Sequence, residues 1–373
     1  MYPALSSLVE RVREAAAQHQ PLRICGAGSK DFLGLQLQGT ALDVRPLQGV
    51  VDYEPSELVI TVRAGTPLAE VEALLAEHGQ ALAFEPPHFG GQGTVGGMVA
   101  AGLSGPSRAS VGAVRDYVLG LELLNGRGQL LRYGGQVMKN VAGYDVSRLM
   151  AGSWGTLGVI TEVSLKVLPL SPAEMTLRFD GIEQAEALHR LHTWGGQPLP
   201  LNASCWVQDQ GVGTLYVRLR GAAAAVDAAC TRMGGVRLSD EATATDWYAC
   251  RDQRLPWFAE RAADHCLWRL SVPQTAPVLA LPEGVDAPLV EWHGGLRWVH
   301  APRSAGPALQ ALARSVGGDA WMFRAEAAQG PGALTRSPLF DAGNAAVLRI
   351  QQQLKQAFDP AGIFNVARVA HGL

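Results

Sequence analysis

Charge of either sign is sparse in this chain of 373 residues. Asp, Glu, Lys and Arg make up 17% of it and the formal net charge is −3, so its electrostatics give no reason to expect nucleic acid or an anionic membrane as partner. Cysteine is scarcer still. Cys25, Cys205, Cys230, Cys250 and Cys266 are odd in number and include no C-x-x-C pair, which argues against a zinc or iron–sulfur site built by this chain alone and predicts free, mostly buried thiols in a reducing compartment. The apolar part of the glycine-rich stretch stops well short of the ~18 to 20 residues of a membrane span. Glu10, Arg11, Arg13 and Glu14 fall where a secretory h-region would lie, and the expectation is a cytoplasmic protein without a metal site. Hydrophobic content of 47% excludes general disorder, and ~150 residues per domain predicts two or three domains.

One absence is local. No Asp, Glu, Lys or Arg lies between His88 and Arg108, while eight glycines fall between Gly90 and Gly112. A ligand there would meet mainly backbone N–H groups, and glycine allows the positive φ and close approach that a nest for anions requires. Generic glycine-rich loops are about as common. Thr94-Val95-Gly96-Gly97 runs into Met98-Val99-Ala100-Ala101, a small-residue helix start whose amides and dipole would point at a phosphate. A second turn of this kind, Gly26-Ala27-Gly28-Ser29-Lys30, follows a strand predicted over Leu22 to Cys25; alone it is weak, since Lys30 reads equally as a solvated side chain.

Taken in order, Leu5, Leu8, Val9 and Val12 predict an amphipathic helix, with Ser7 and Glu10 in capping-box spacing. Leu58 to Ala64 predicts a strand, Thr66 and Pro67 the N-cap and first position of a helix reaching His78, and Gly79 its C′ residue. Ala81 to Phe84 reads as a strand. Tyr117 to Leu124 and Gln129 to Tyr133 flank Asn125-Gly126-Arg127-Gly128, a hairpin signal, and Val159 to Val167 is a further strand. Beyond Pro169 the order of strand (Met175 to Phe179), helix (Glu183 to Thr193), two strands (Ala203 to Gln208, Thr214 to Arg220), helix (Ala222 to Met233) and a strand near Val236 suits a split βαββαβ layer. The Trp-rich part from Trp247 to Trp298 shows no clear pattern, and the segments around Pro282 and Gly330 read as loops. A last helix runs from about Asn344 to Phe358, where Asp359-Pro360-Ala361-Gly362 breaks it.

GAGSKDFLG and GGQGTVGGMVAAG, followed by MKNVAGYDVSRLMAGSWGTLGVITEVSLKVLP, together resemble the FAD-binding domain of the vanillyl-alcohol-oxidase and para-cresol-methylhydroxylase (PCMH) group. Within it, most of the chain, including RDQRLPWF, GGLRW and FDPAGIFN, resembles the smaller of the FAD-binding subunits of bacterial glycolate oxidases (glycolate dehydrogenases). The resemblance implies an α+β fold: a two-subdomain PCMH-type FAD-binding domain over residues 1–170, a ferredoxin-like (split βαββαβ) cap domain over 171–343, and a C-terminal helix and tail, 344–373, returning to the FAD domain. It implies that Gly26, Ala27, Gly28, Ser29 and Lys30 form the first phosphate loop and Thr94, Val95, Gly96 and Gly97 the second. Ala100, Ala101 and Gly102 would follow along the cofactor, Gly155, Gly158 and Ile160 would meet the adenine side, and Asn365 would lie near the flavin. Some members of the group bind FAD covalently through a His beside the first loop. ICGAGSKDFLG contains no His, so non-covalent FAD is expected. The terminal motif departs from the group, reading Asn365-Val366-Ala367-Arg368 where relatives have Asn-Pro-Gly.

The function so implied is that of an FAD-binding subunit in oxidation of a small 2-hydroxy acid, glycolate by resemblance, with flavin supplying the redox chemistry. Its partners would be a larger homologous flavin subunit and an iron–sulfur subunit, and any association with the inner face of a membrane would run through them. One rival is a self-contained 2-hydroxy-acid dehydrogenase, and another a scaffold with a degenerate flavin site. Catalytic relatives carry an H-x-x-G-D-G-N-x-H-like stretch. The nearest here, Glu291 to His300, lacks its Asp and Asn, and on a strand His293 and His300 would face opposite ways. Arg251, Arg254 and Arg297 are cations without a paired base. Trp247, Trp257, Trp268, Trp292 and Trp298 either pack a core or, if exposed, mark a partner surface.

Overall fold

The structure, a computed structural model, describes residues 3–35, 38–91, 93–135, 145–209, 211–325 and 345–369. Met138 to Tyr144 of the MKNVAGYDV stretch, Gly330 and Asn344 lie outside the described residues. The chain forms two compact units. One holds the residues up to Leu103, Ala113–Leu170 and the C-terminal stretch from Ala345 on; the other holds Ser104–Gly112 and Ser171 onwards.

The first unit has two parts. Helix Pro3–Gln18 buries Leu8, Val9, Val12 and Ala15 against Leu22, Leu42, Val44, Ile363 and Phe364. It starts at Pro3, so Ser7 and Glu10 lie inside it and form no capping box. Proline suits the first turn, where a missing N–H is harmless. Strand Leu22–Cys25 pairs in parallel with Thr40–Asp43 and, on its other edge, with the Ile363 to Asn365 segment. The second part is a five-stranded antiparallel sheet in the order Val50–Glu54, Val59–Arg63, Val159–Lys166, Val118–Leu124, Leu130–Gly134. Asn125 closes its hairpin, its Oδ1 accepting from the N–H of Arg127 (2.9 Å) and Gln129 (3.0 Å), an Asx turn.

Helices Leu68–Glu77 and Val95–Ala101 pack on this sheet through Leu68, Val71, Leu75, Met98 and Val99. The first begins one residue later than expected, with Pro67 as N-cap. The Thr66 hydroxyl instead donates to Arg63 O (2.7 Å) and accepts from Gly49 N–H (3.0 Å). Gly79 has φ +65°, as a C′ residue requires. Of the predicted Ala81 to Phe84 strand only Ala81 pairs, in the two-residue strand Gln80–Ala81 against Leu168–Pro169; the chain then turns.

The second unit is built on an eight-stranded sheet in which every neighbour is antiparallel. Its order is Val236–Leu238, Ala173–Asp180, Val212–Gly221, Leu201–Asp209, Leu289–Glu291, Leu296–Pro302, His265–Ser271, Asp319–Arg324. The first four strands with helices Gln184–Gly195 and Ala223–Met233 have the connectivity of a split βαββαβ. Of the other four, His265–Ser271 and Leu289–Glu291 fall in the Trp247 to Trp298 part in which the sequence shows no pattern, Leu296–Pro302 begins there, and Asp319–Arg324 lies beyond it. Register puts Trp206, Val290, Arg297, Leu270 and Ala320 on one face, which packs on those helices and on Gly306–Ser315. Cys205, Glu291, Trp298, Arg269 and Trp321 share the opposite face. Trp247, Trp268, Trp292 and Trp298 are buried and belong to the core, while Trp257 is half-buried. Indoles fill the spacing between elements and find partners for their N–H, as Trp247 does in Thr176 Oγ1 at 2.9 Å.

Candidate functional site

Strand Leu22–Cys25 delivers the first glycine loop to a cleft inside the first unit. Gly28 holds φ +74°, a left-handed conformation that strains residues with a Cβ, and its carbonyl accepts from Asp31 N–H at 3.0 Å. The backbone N–H groups of Gly26, Ala27, Gly28 and Ser29 have no acceptor among the described residues. Four consecutive amides left open beside a cleft make a nest for an anion. Lys30 is 8% exposed, with Nζ 3.3 Å from Ser29 Oγ and 5.6 Å from the centre of the Phe89 ring.

The second glycine loop behaves otherwise. Thr94 caps the seven-residue helix Val95–Ala101 by accepting from Gly97 N–H at 3.2 Å. Val95 N–H donates to Thr66 O (3.0 Å) and Gly96 N–H to Ala64 O (2.8 Å). The helix-start amides expected to meet a phosphate are therefore engaged by the protein. Gly96 is needed for packing, since a Cβ there would lie 2.6 Å from Ala64 Cβ. This loop supplies a wall of small residues to the cleft.

Of the residues expected at a cofactor site, Gly26, Ala27, Gly28, Ser29, Lys30, Thr94, Gly96, Gly97, Ala100, Ala101, Gly155, Gly158, Ile160 and Asn365 line this one cleft. Val95 and Gly102 do not: Val95 is fully buried in the sheet core, and Gly102 is the left-handed C-cap of the helix. Ile24, Asp31, Val44, Trp154 and Arg368, which no motif marks, join the lining. Asp31 lies 3.8 Å from Arg23.

The C-terminal segment fixes the loop. Asn365 Oδ1 accepts from Ile24 N–H (2.8 Å), and its Nδ2 donates to Trp154 O (2.7 Å). Its amide thus ties the strand before the first loop to the turn before Gly155. Arg368, where the motif departs from the group, is 5% exposed and donates from Nη2 to Lys30 O at 2.9 Å. Ala367 takes φ +60°, a conformation that glycine adopts without strain. That departure is the one signal for Arg368 in the sequence.

Cys25 Sγ donates to Arg23 O at 3.2 Å, and burial pushes the thiol pKa up. All five cysteines are free, four of them buried. In the second unit, Arg251 and Arg254 pair with Asp252 (2.9 and 3.6 Å). Arg297 spends its guanidinium on Gly294 O, Pro277 O and Ala276 O. None of the three stands ready for a carboxylate. His293 and His300 do not share a strand: His293 sits in the turn Trp292–Gly294, and His300 on Leu296–Pro302 stacks on Trp257 with ring centres 4.0 Å apart. Among the described residues no three His, Cys, Asp or Glu side chains gather as a metal-ligand set, and no helix is long and apolar enough to cross a membrane.

A FAD binding domain family matches residues 5–134. The chain is 44% identical over 363 residues to the glycolate oxidase subunit GlcE of Escherichia coli (strain K12), covering 97% of this chain and 96% of that protein. It is 33% identical over 140 residues to the glycolate oxidase subunit GlcD of Bacillus subtilis (strain 168), 37% of this chain and 29% of that one. A D-lactate dehydrogenase of Archaeoglobus fulgidus is 39% identical over 120 residues, 32% of this chain and 26% of that one. A solved structure of alkyldihydroxyacetonephosphate synthase superposes with TM-score 0.65 at 15% identity, over 96% of this chain and 73% of that one, a likeness of fold. Identity of this level across nearly the whole of both chains settles descent: the protein belongs to the family of the glycolate oxidase subunit GlcE, within the PCMH-type FAD-binding proteins.

Proposed function

We propose that this chain is the FAD-binding subunit of a multi-subunit glycolate oxidase that oxidises 2-hydroxy acids, acting there in electron relay or assembly. The observation that carries the reading is the row of four open amides from Gly26 to Ser29 in a cleft lined by both glycine loops. The cleft fits FAD. The open amides suit the diphosphate, Lys30 adds a cation, and Ala100, Ala101 and Gly158 leave room beside it. When bound, FAD supplies two-electron redox chemistry, which the protein positions and tunes.

FAD is held non-covalently. Among the described residues no His lines the cleft, and the Cys25 thiol is bonded to Arg23 O with its pKa raised, so it is a poor nucleophile. The partners in this reading are a larger homologous flavin subunit of the GlcD kind and an iron–sulfur subunit, because five scattered cysteines do not ligate a cluster. The residues around 171–325 form the second domain and the C-terminal helix belongs with the first.

Purified chain is expected to show a flavin absorption spectrum, and acid precipitation should release all of the FAD into the supernatant. Cys25→Ser is expected to keep the same FAD content. Colourless protein that takes up no added FAD would sink the reading in favour of a scaffold; flavin retained in the pellet would contradict the non-covalent part. Mixing FAD-loaded chain alone with glycolate should leave the flavin oxidised, and rapid bleaching would favour a self-contained dehydrogenase.

A further inference from the structure

Helix Glu241–Arg251 carries Thr243, Asp246, Trp247 and Cys250 at the i, i+3, i+4, i+7 spacing that puts side chains on one face. That face meets the sheet of the second unit on the side away from helices Gln184–Gly195 and Ala223–Met233, where register sets Tyr216 opposite Cys205 and Leu238 opposite Thr176. Trp247 pins it there through its bond to Thr176. The contact is incomplete. Helix, sheet and the turn Pro256–Ala259 enclose a cavity of about 570 Å³, lined by those four helix residues, by Val207 and Leu289 of the sheet, and by Leu255, Trp257 and Glu260. All of it belongs to the second unit.

The lining grades from apolar to acidic. Cys205, Trp247, Cys250 and Leu289 are buried, Val207, Tyr216, Leu255 and Trp257 are half-buried, and Gln208, Asp246 and Glu260 are exposed. The cavity therefore has an apolar floor and an acidic mouth. Its size, and walls that are mostly apolar with a few polar groups, are those of a small-molecule site. Among the described residues no Lys, Arg or His lines it, and the side chains of Gln208, Asp246 and Glu260 make no hydrogen bond or ion pair. Burial first, and then the charge of Asp240, raise the Asp246 pKa, as befits a carboxylate drawn partly out of water with no cation beside it.

Charge and polarity together select the occupant. An anion, a 2-hydroxy acid included, would meet two carboxylates and be repelled. A neutral apolar molecule would fill the floor but take further water from Asp246 without pairing it, which costs free energy. An organic cation with an apolar body meets both demands: its ammonium makes a charge-assisted hydrogen bond to the carboxylate, and its body covers apolar wall. The indole of Trp257 suits such a guest. His300 stacks on it, the rest of the ring lines the cavity, and indole attracts cations as well as apolar groups. Arg218 already lies over the ring of Trp247 at 4.8 Å, off the lining, with its Nε–H given to Asn202 Oδ1.

We propose that this cavity binds a small amphipathic amine, its apolar body against Leu255, Trp257 and Leu289 and its ammonium on Asp246, with Glu260 adding to the negative field at the mouth. The site shares no residue with the flavin cleft and selects the charge opposite to that of a hydroxy acid. It stands whether or not the chain serves in glycolate oxidation.

Calorimetric titration of the FAD-loaded full chain with phenethylamine tests this, with hydrocinnamate as the anion on the same apolar body and ethylamine as the cation without one. Phenethylamine should bind saturably and raise the melting temperature, hydrocinnamate should not bind, and ethylamine should bind far more weakly. Asp246→Asn should weaken phenethylamine about 10-fold, the low end for a charged hydrogen bond, and Leu255→Ala roughly 3- to 10-fold through lost apolar contact. FAD content should not change in either. Because the folded state raises the Asp246 pKa, its charged form is a liability near neutral pH, so Asp246→Asn should melt no lower than the parent. A lower melting temperature with unaltered affinity would make Asp246 structural and overturn the proposal. Ethylamine binding as tightly as phenethylamine would mean an acidic surface only, and hydrocinnamate binding as tightly an apolar crevice only; either overturns it. Should Asp246→Asn not fold, Glu260→Gln decides by the same readout, with a loss of about 3-fold expected. Absence of any amine binding refutes the site, and if Asp246→Asn then weakens association with a partner subunit, the mouth belongs to a basic segment of a protein chain instead.

Discussion

Gly28→Asp is expected to leave the purified chain almost without FAD while its fold persists. The residue sits at φ +74°, and a Cβ there would come 3.3 Å from Asp31 Oδ2. The new side chain therefore meets backbone strain of ~1 to 2 kcal/mol and an existing carboxylate. Its larger effect is on the open amides of Gly26 to Ser29. A carboxylate about 4 Å from a phosphate at an effective dielectric of ~20 costs about 4 kcal/mol, roughly three powers of ten in affinity. Absorbance of released flavin per mole of protein is the measurement. Gly195→Ala, at a position with nothing within 4 Å of the added Cβ, is the control and should keep full FAD. Gly28→Asp with a normal flavin complement would show that the diphosphate lies elsewhere. Gly97→Asp is expected to lower FAD content less, because Gly97 N–H is already bonded to Thr94 Oγ1 and loses no phosphate contact.

That difference between the two loops is not legible in the sequence. Both read as glycine turns after a strand, and composition does not say whether an N–H already has an acceptor. The acceptors of the second loop, Ala64 O and Thr66 O, come from a strand end about 30 positions upstream, a tertiary pairing that no local pattern encodes. Motif position places most of the cleft-lining residues correctly and misses Val95 for one reason: along a helix the side chains turn with a 3.6-residue period, so Gly96, Gly97, Ala100 and Ala101 line the cleft while Val95 points into the core. The first half of the second unit is legible because its strands alternate and its helices are Ala- and Leu-rich. The second half is hidden by its chemistry. In LRWVHAP and HCLWRLS, Arg, His and Trp occupy both buried faces, so the polar–apolar alternation that marks a half-exposed strand is lost. Arg297 reads as a cation awaiting a carboxylate, yet three backbone carbonyls satisfy it. Arg269, which no motif marks, makes one hydrogen bond among the described residues, to Ser271 Oγ.

The other large effect is expected far from any glycine, at Asp359. The FDPAGIFN motif reads as a helix stop, and the structure gives its Asp a second task. Asp359 is 1% exposed; its Oδ1 accepts from Ile363 N–H at 3.1 Å and its Oδ2 from Phe364 N–H at 2.8 Å and Lys355 Nζ at 2.7 Å. Lys355 Nζ also donates to Thr156 O (2.8 Å) and Phe364 O (2.9 Å), so its three protons are all placed. This knot holds the Ile363 to Asn365 segment against strand Leu22–Cys25, and through Asn365 it fixes the first loop. Asp359→Ala removes the carboxylate and strands a buried ammonium with two amides. Breaking a buried pair in this way costs about 3–5 kcal/mol, and the melting temperature of a unit this size should fall by roughly 10 °C. FAD content should fall with it. The pH dependence identifies the cause. Burial already lowers the Lys355 pKa and Asp359 partly restores it, so without Asp359 the folded-state pKa drops further below the unfolded value. The unfolded state then binds more protons, and stability rises with pH through that window. Asp359→Ala should therefore regain stability between pH 7 and the unfolded lysine value of about 10.4, and adding Lys355→Met should regain part of it at pH 7. A variant equally destabilised at every pH, with no rescue by Lys355→Met, would mean that the lost amide acceptors, and not the stranded charge, carry the effect.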